Sequence, residues 1–138
     1  MLDIEPLDPI KLPLITRLYK QHYPSGKAKR DELIIAGYLE GTLSAVVRFR
    51  SIESYRLLTG MLVIPAAQGK GLGHQLLDYC QHQVLQTGDY CFAYQHLHSF
   101  YAQHGFVEEP ALPGALDNLY RRYTASGKKL VAMRYLGA

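Results

Sequence analysis

A mixed α/β domain, with a mostly antiparallel central sheet flanked by helices, is the fold class this sequence predicts. Three observations carry it. The chain has 138 residues, the size of one domain and one core, so a single domain over 1–138 is expected. Between Leu33 and Ile64 the apolar residues fall in short runs broken by tight turns, the pattern of neighbouring strands. After Gly73 the apolar spacing changes to four, the pattern of a helix with one buried face.

The elements follow in order. Leu2 to Leu7 reads as a short strand, weakened at its end by Pro6. Asp8 and Pro9 suit a helix start, with Pro13 an alternative first-turn residue, and Ile10, Leu14 and Leu18 would share its apolar face. Tyr23-Pro24-Ser25-Gly26 closes that helix. Leu33–Leu39 is apolar and partly β-branched, and Glu40-Gly41 turns it into Leu43–Arg50, where Leu43, Ala45, Val47 and Phe49 alternate with Ser44, Val46, Arg48 and Arg50. A second turn at 51–54 leads into Tyr55–Ile64, so the three strands should form an antiparallel meander. Leu72, Leu76, Leu77, Cys80 and Val84 mark a helix of about four turns, ended by Thr87-Gly88-Asp89. Tyr90–Tyr94 is a strand, His98–His104 a short helix stopped at Gly105, and Leu116, Leu119, Tyr120 and Tyr123 line a further short helix. Lys129–Leu136 is the last strand, giving β-α-β-β-β-α-β-α-(α)-β.

Composition narrows the function. Hydrophobic residues make up 48% and charged residues 20%, the balance of an ordinary globular protein. No apolar run approaches the roughly 18 residues of a membrane span, and acids stand near the N-terminus where a secretory signal carries bases. A cytoplasmic location without membrane partners is expected. A net charge of +3 does not argue for nucleic acid, and the basic clusters Lys27/Lys29/Arg30 and Arg121 to Arg134 read first as solvated faces. Cys80 and Cys91 fit small buried hydrophobes. The six histidines lack an HExxH motif or paired thiolates, so no metal is expected.

The chemistry lies in Gln68-Gly69-Lys70-Gly71-Leu72-Gly73, a glycine-rich loop between a strand and a helix. Glycines let backbone approach an anion, and a helix N-terminus aims unpaired N–H groups at it. Lys70 adds a positive charge. A P-loop would need a Ser or Thr after its Lys-bearing run, and a dinucleotide fingerprint would need GxGxxG spacing. Neither matches, although Asp89 stands at about the remove of a ribose-binding acid.

These residues resemble a family. The loop is similar to the Gln/Arg-x-x-Gly-x-Gly/Ala signature for acetyl-coenzyme A in the GNAT N-acetyltransferase superfamily. Met61-Leu62-Val63-Ile64-Pro65 resembles the family's fourth strand and its usual proline, and Phe100-Tyr101-Ala102-Gln103-His104-Gly105-Phe106 its FYxxxGF segment. The element order agrees, so the resemblance implies the GNAT-like acyl-CoA N-acyltransferase fold over nearly the whole chain. It implies acetyl-CoA as cosubstrate, its pyrophosphate on the backbone of Gln68, Gly69, Lys70, Gly71, Leu72 and Gly73, with Lys70 and His74 near the phosphates. The pantetheine arm would pair with backbone at Leu62 and Val63, beside a splay that a bulge at Gly60 permits.

The resemblance further implies direct transfer to an amine without an acyl-enzyme, and Tyr101 as the acid that protonates the departing thiolate. The start of a helix at that point would favour the developing charge. Gln95 or His96 stands where relatives carry an Asn. Glu53, His96 and His98 are candidates for the base. The acceptor, a small amine bearing a carboxylate or a peptide N-terminus, would be shaped by Tyr19–Arg30 and by 110–126. A homodimer is left open. The rival readings are a catalytically silent acetyl-CoA sensor acting through a protein partner, and a nucleotide-binding module.

Overall fold

Seven strands and four α-helices, counted among the residues 2–137 that the computed structural model describes, follow the predicted order with one addition. They are β1 (Leu2–Pro6), α1 (Leu12–His22), β2 (Leu33–Leu39), β3 (Thr42–Ile52), β4 (Tyr55–Val63), α2 (Leu72–Gln83), β5 (Tyr90–Tyr94), α3 (His98–Ala102), β6 (Phe106–Glu108), α4 (Gly114–Ala125) and β7 (Leu130–Tyr135). The sheet runs β1-β2-β3-β4-β5-β7-β6. Its described ladders β1/β2, β2/β3, β5/β7 and β6/β7 are antiparallel, and β4/β5 is parallel. The mixed, mostly antiparallel fold class is therefore observed. No helix among the described residues is long and apolar enough to cross a membrane.

The chain divides into two compact units. One holds the chain to Arg50 and Thr59–Tyr79, the other Ser51–Leu58 and the chain from Cys80 on. In the first, Glu40 and Gly41 turn β2 into β3 with Leu39 opposite Thr42, as the sequence suggests. Ser44 through Phe49 are all buried, so both faces of β3 are covered and Arg48, only 6% exposed, lies inside. Ile15, Leu18 and Tyr19 of α1 pack on Ile34 of β2 and Val46 of β3.

That helix corrects the expected apolar face. Asp8 caps a single 3-10 turn, Pro9–Lys11, and the α-helix begins only at Leu12 with Pro13 in its first turn. The later start leaves Ile10 outside the α-helix, and the buried side runs through Ile15, Leu18 and Tyr19. Ile10 is 80% and Leu14 45% exposed, whereas Ile15 and Tyr19 are enclosed beside Leu18.

In the second unit, β4 pairs with β5 at Leu57↔Tyr90 and Leu58↔Cys91. Leu116 and Leu119 of α4 cover Leu57 and Tyr90, and the Tyr120 hydroxyl donates to the Leu130 carbonyl at 2.8 Å. The strand missing from the sequence reading is β6, three residues paired with β7 from Phe106↔Tyr135 to Glu108↔Met133. Helix α2, which runs through both units, ends at Gln83, before the expected Thr87-Gly88-Asp89 stop. Leu72, Leu76, Leu77 and Cys80 form its buried face as predicted.

Candidate functional site

The loop that carries the predicted chemistry is built from short-range geometry in the first unit. Ile64 leaves β4 with its N–H on the Ser44 carbonyl, and Pro65–Ala67 makes one 3-10 turn. Gln68 then folds its side chain back, Nε2 donating to the Val63 carbonyl at 3.0 Å. That bond ties the loop to the strand before it. Gly69 and Gly71 follow at φ +81° and +75°, left-handed values that L side chains rarely adopt. A Cβ at either glycine would meet no atom within 4 Å, so their outer face is open.

Leu72, 3% exposed, then anchors the start of α2, a 12-residue helix with no acid in its first turn. Gln75 donates its N–H to Gly71. Gln68 through Gly71 and His74 are exposed, Gly73 half-buried, and Leu62 and Val63 half-buried on β4. The arrangement suits an anion. Backbone N–H groups at a helix start, the dipole behind them and the Lys70 charge combine on an open surface.

Upstream of the loop, Gly60 of β4 adopts φ +67°. Its carbonyl accepts the Tyr19 hydroxyl from α1. Arg48 Nε donates to that hydroxyl oxygen at 3.2 Å, with the guanidinium 5.1 Å from the Tyr19 ring centre. Arg48 NH1 donates to the Lys27 carbonyl and to Glu32 Oε1, both at 2.7 Å. Glu32 Oε1 also accepts the Lys29 N–H at 2.7 Å. The side chains of Arg48 and Glu32 are 7% and 3% exposed. Burial pushes the Tyr19 hydroxyl up to about 12, beyond what the Arg48 charge takes back, so it remains a donor. Burial opposes the Arg48 charge, and Tyr19 and Glu32 together outweigh it, leaving its pKa above the ordinary value.

None of these three residues stands out in the sequence. No short-range signal finds them: Arg48 alternates with Ser44 and Arg50 along β3, and a guanidinium's need for buried acceptors shows only once both faces of the strand are covered. In the same unit, a groove of about 510 Å³ is lined by Leu12, Pro13, Thr16, Arg17, Lys20 and Arg30, three cations and no acid.

The second unit holds the other candidates. Tyr101, 5% exposed, lies edge-on to Phe100 and Phe106 with ring centres 5.1 and 5.7 Å away. It is the fourth residue of the five-residue α3, not at a helix start, so the expected help from that helix end does not arise there. Of the base candidates, Glu53 sits exposed in a turn, His96 is exposed and stacked on Tyr94, and His98 Nε2 lies 3.1 Å from Glu108. Gln95 is exposed in the 3-10 turn after β5.

Cys80 and Cys91 are free and buried. Burial drives both thiols up, Cys80 to about 12 with Arg56 pulling slightly the other way, so neither is a ready nucleophile. Asp89 is 4% exposed and accepts Arg56 Nε at 3.1 Å, Arg56 NH2 at 2.6 Å and the Gln86 N–H at 2.9 Å. That occupation removes it as a ribose ligand. Among the described residues no group of three or more His, Cys, Asp or Glu side chains could hold a metal ion.

Comparison with known proteins adds three kinds of finding. A family model described as an acetyltransferase (GNAT) domain matches residues 28–108. No curated protein matches significantly. Among solved structures, the fold is similar to an acyl-CoA N-acyltransferase from Pseudomonas aeruginosa (TM-score 0.68, 20% identity, 98% of this chain and 99% of that one). It is also similar to the ribosomal-protein-S18-alanine N-acetyltransferase of Escherichia coli (0.67, 17%, 100% and 96%). N-acetylglutamate synthase from Neisseria gonorrhoeae, solved with coenzyme A and N-acetyl-glutamate, gives 0.73 at 14% identity over 98% of this chain. This chain spans only 35% of that protein's length. At these identities the likeness is one of fold.

Proposed function

This chain belongs to the GNAT acetyltransferase family, and from that premise we propose that it moves an acetyl group from acetyl-CoA directly to an amine. The observation that carries the reading is the open loop at the start of α2, with left-handed Gly69 and Gly71 and no acid in the first helical turn. Acetyl-CoA fits it as cosubstrate, supplying an activated thioester when bound. Backbone N–H groups from Gln68 to Gly73 would hold the pyrophosphate, with Lys70 and His74 at its edge. Leu62 and Val63 would offer backbone to the pantetheine arm. Gln68 holds one side of the loop by its bond to Val63, so a negative charge meets donors already in place.

Tyr101 is the proposed acid. Its hydroxyl gives a proton to the leaving sulfur, and its ring is fixed by Phe100 and Phe106. No covalent enzyme intermediate is part of the reaction, in keeping with two buried, protonated thiols. The amine is neutral when it attacks, the proton it sheds passes to solvent, and solvent returns a proton to Tyr101. The acceptor is an amine that also bears a carboxylate, either a small molecule or a peptide N-terminus. The groove lined by Arg17, Lys20 and Arg30 supports that preference for negative charge.

The test has two arms. Calorimetry should show coenzyme A binding in preference to ATP or NAD. A panel of amino acids, polyamines and peptides, read by released thiol, should give turnover with acidic acceptors first. Binding without release across the panel would favour a silent acetyl-CoA sensor; preference for ATP or NAD would overturn the reading.

A further inference from the structure

Gly60 is held in place by side chains that come from elsewhere in the first unit. At φ +67° a side chain there would be strained, and its Cβ would lie 2.6 Å from Tyr19 Oη and 2.7 Å from Arg48 Nε, so the Tyr19 and Arg48 side chains would have to move. Its carbonyl is bonded by the Tyr19 hydroxyl. Two residues further on, β4 reaches Leu62 and Val63. From Tyr19 the contacts continue through Arg48 to the Lys27 carbonyl and Glu32, both in the loop between α1 and β2. Glu32 Oε1 accepts from Arg48 NH1 and from the Lys29 N–H, while Oε2 is buried with no hydrogen-bond partner among the described residues. Replacing a buried arginine and carboxylate by an apolar pair of the same volume is often neutral or stabilising, so stability alone is a weak account of this pair.

We propose that Glu32, Arg48 and Tyr19 form a positioning relay, which fixes the backbone of β4 at Gly60 and couples it to the loop at Lys27–Glu32. The inference rests on the reading above, in which Leu62 and Val63 carry the pantetheine arm and the loop after α1 faces the acceptor. Under it, the strand that receives one substrate and the loop that receives the other are ordered together. Either substrate, by ordering its own end, then favours the binding of the other. The three residues touch neither reacting atom and act through Gly60. Tyr19 supplies the donor, Arg48 orients it by bonding its oxygen and lying over its ring, and Glu32 keeps the guanidinium in position.

Two variants and one control test the relay by amide hydrogen exchange and by coenzyme A calorimetry on the full chain. Tyr19→Phe removes only the hydroxyl that reaches Gly60. Glu32→Gln keeps the shape of the side chain and alters only the loop end. Leu119→Ala weakens a different core cluster, that of Leu57, Tyr90 and Leu116, which holds no relay residue. Both relay variants should speed exchange at Met61–Val63 and raise the coenzyme A dissociation constant by about 3- to 10-fold, the effect of losing one hydrogen bond. Leu119→Ala should leave affinity unchanged. If Glu32→Gln loosens 27–32 but not 61–63, nothing is transmitted and the relay is wrong. The same follows if Leu119→Ala reproduces the loss of affinity. If the unaltered protein fails to bind coenzyme A, it is the functional reading that falls, and exchange at 61–63 still decides the relay.

Discussion

Gly71 separates backbone from charge in the proposed phosphate loop, because its surroundings are empty. Gly71→Ala adds a Cβ that meets nothing within 4 Å, so its cost comes from φ +75° alone. A left-handed L residue costs roughly 1–2 kcal/mol. Against the ~5–15 kcal/mol of a typical domain, that leaves the protein folded. Gly71→Glu carries the same backbone cost and adds a carboxylate where the pyrophosphate should sit. Two like charges about 4 Å apart in water repel by ~1 kcal/mol, and a pyrophosphate presents more than one. Gly71→Ala should therefore weaken coenzyme A by several-fold at most. Gly71→Glu should weaken it by about 10- to 100-fold, since ~1.4 kcal/mol is tenfold.

The two terms differ in salt dependence. Repulsion is screened over about 10 Å at 0.1 M salt and about 3 Å at 1 M, whereas strain is not. Calorimetry with coenzyme A at both salt concentrations, alongside urea melts of each variant, reads them separately. The gap between Glu and Ala should shrink at high salt. A folded Gly71→Glu protein that binds coenzyme A as the unaltered protein does would refute the assignment of the loop.

Three further outcomes are expected. Tyr101→Phe should lower kcat by at least ~10-fold with cofactor affinity unchanged; equal kcat under chemistry-limited conditions would leave Tyr101 as a packing aromatic. Cys80 and Tyr19 have folded pKa values near 12, raised by burial from 9.0 and 10.0. The stability they contribute is complete below about pH 9 and lost as pH rises toward 12, so the urea midpoint should hold through neutrality and fall above about pH 9, and a midpoint still flat near pH 11 would contradict that burial. Asp89→Asn should cost about 3 kcal/mol by urea melt, the low end for breaking a buried pair because the Arg56 side chain is 23% exposed; a loss under ~1 kcal/mol would show that the pair braces little.

What the sequence made legible depended on how local the cause was. The loop from Gln68 to Gly73 and the buried face of α2 follow from residues within a few positions of one another, and both were readable. The face of α1 was not, because Leu14 and Leu18 repeat at helical spacing just as Ile15 and Tyr19 do, and only packing on Ile34 and Val46 chooses between them. β6 was invisible, because Phe106-Val107-Glu108 is too short to show a period and forms only through its partner β7. Arg48 was legible as a strand residue but not as a buried one. Alternation sets it with Ser44 and Arg50, and only the covering of both faces of β3 encloses it. Its partners Tyr19 and Glu32 lie 29 and 16 positions away. No pattern of short period joins them.

The ends of the sheet bear on how the protein behaves when concentrated. An edge strand leaves backbone groups that another chain could extend, and β6 offers three residues, two of them exposed and the last a glutamate. At the other end β1 offers five, with Asp3 and Glu5 exposed and Pro6 lacking an N–H. A strand added to β6 would gain two or three hydrogen bonds at ~0.5–1.5 kcal/mol each, against the ~4 kcal/mol or more of freedom lost when two molecules join. The balance is unfavourable, and worsened by like charge when the incoming strand is a second copy. Growth of fibrils or ribbons by addition to the β6 edge is therefore disfavoured from the folded state.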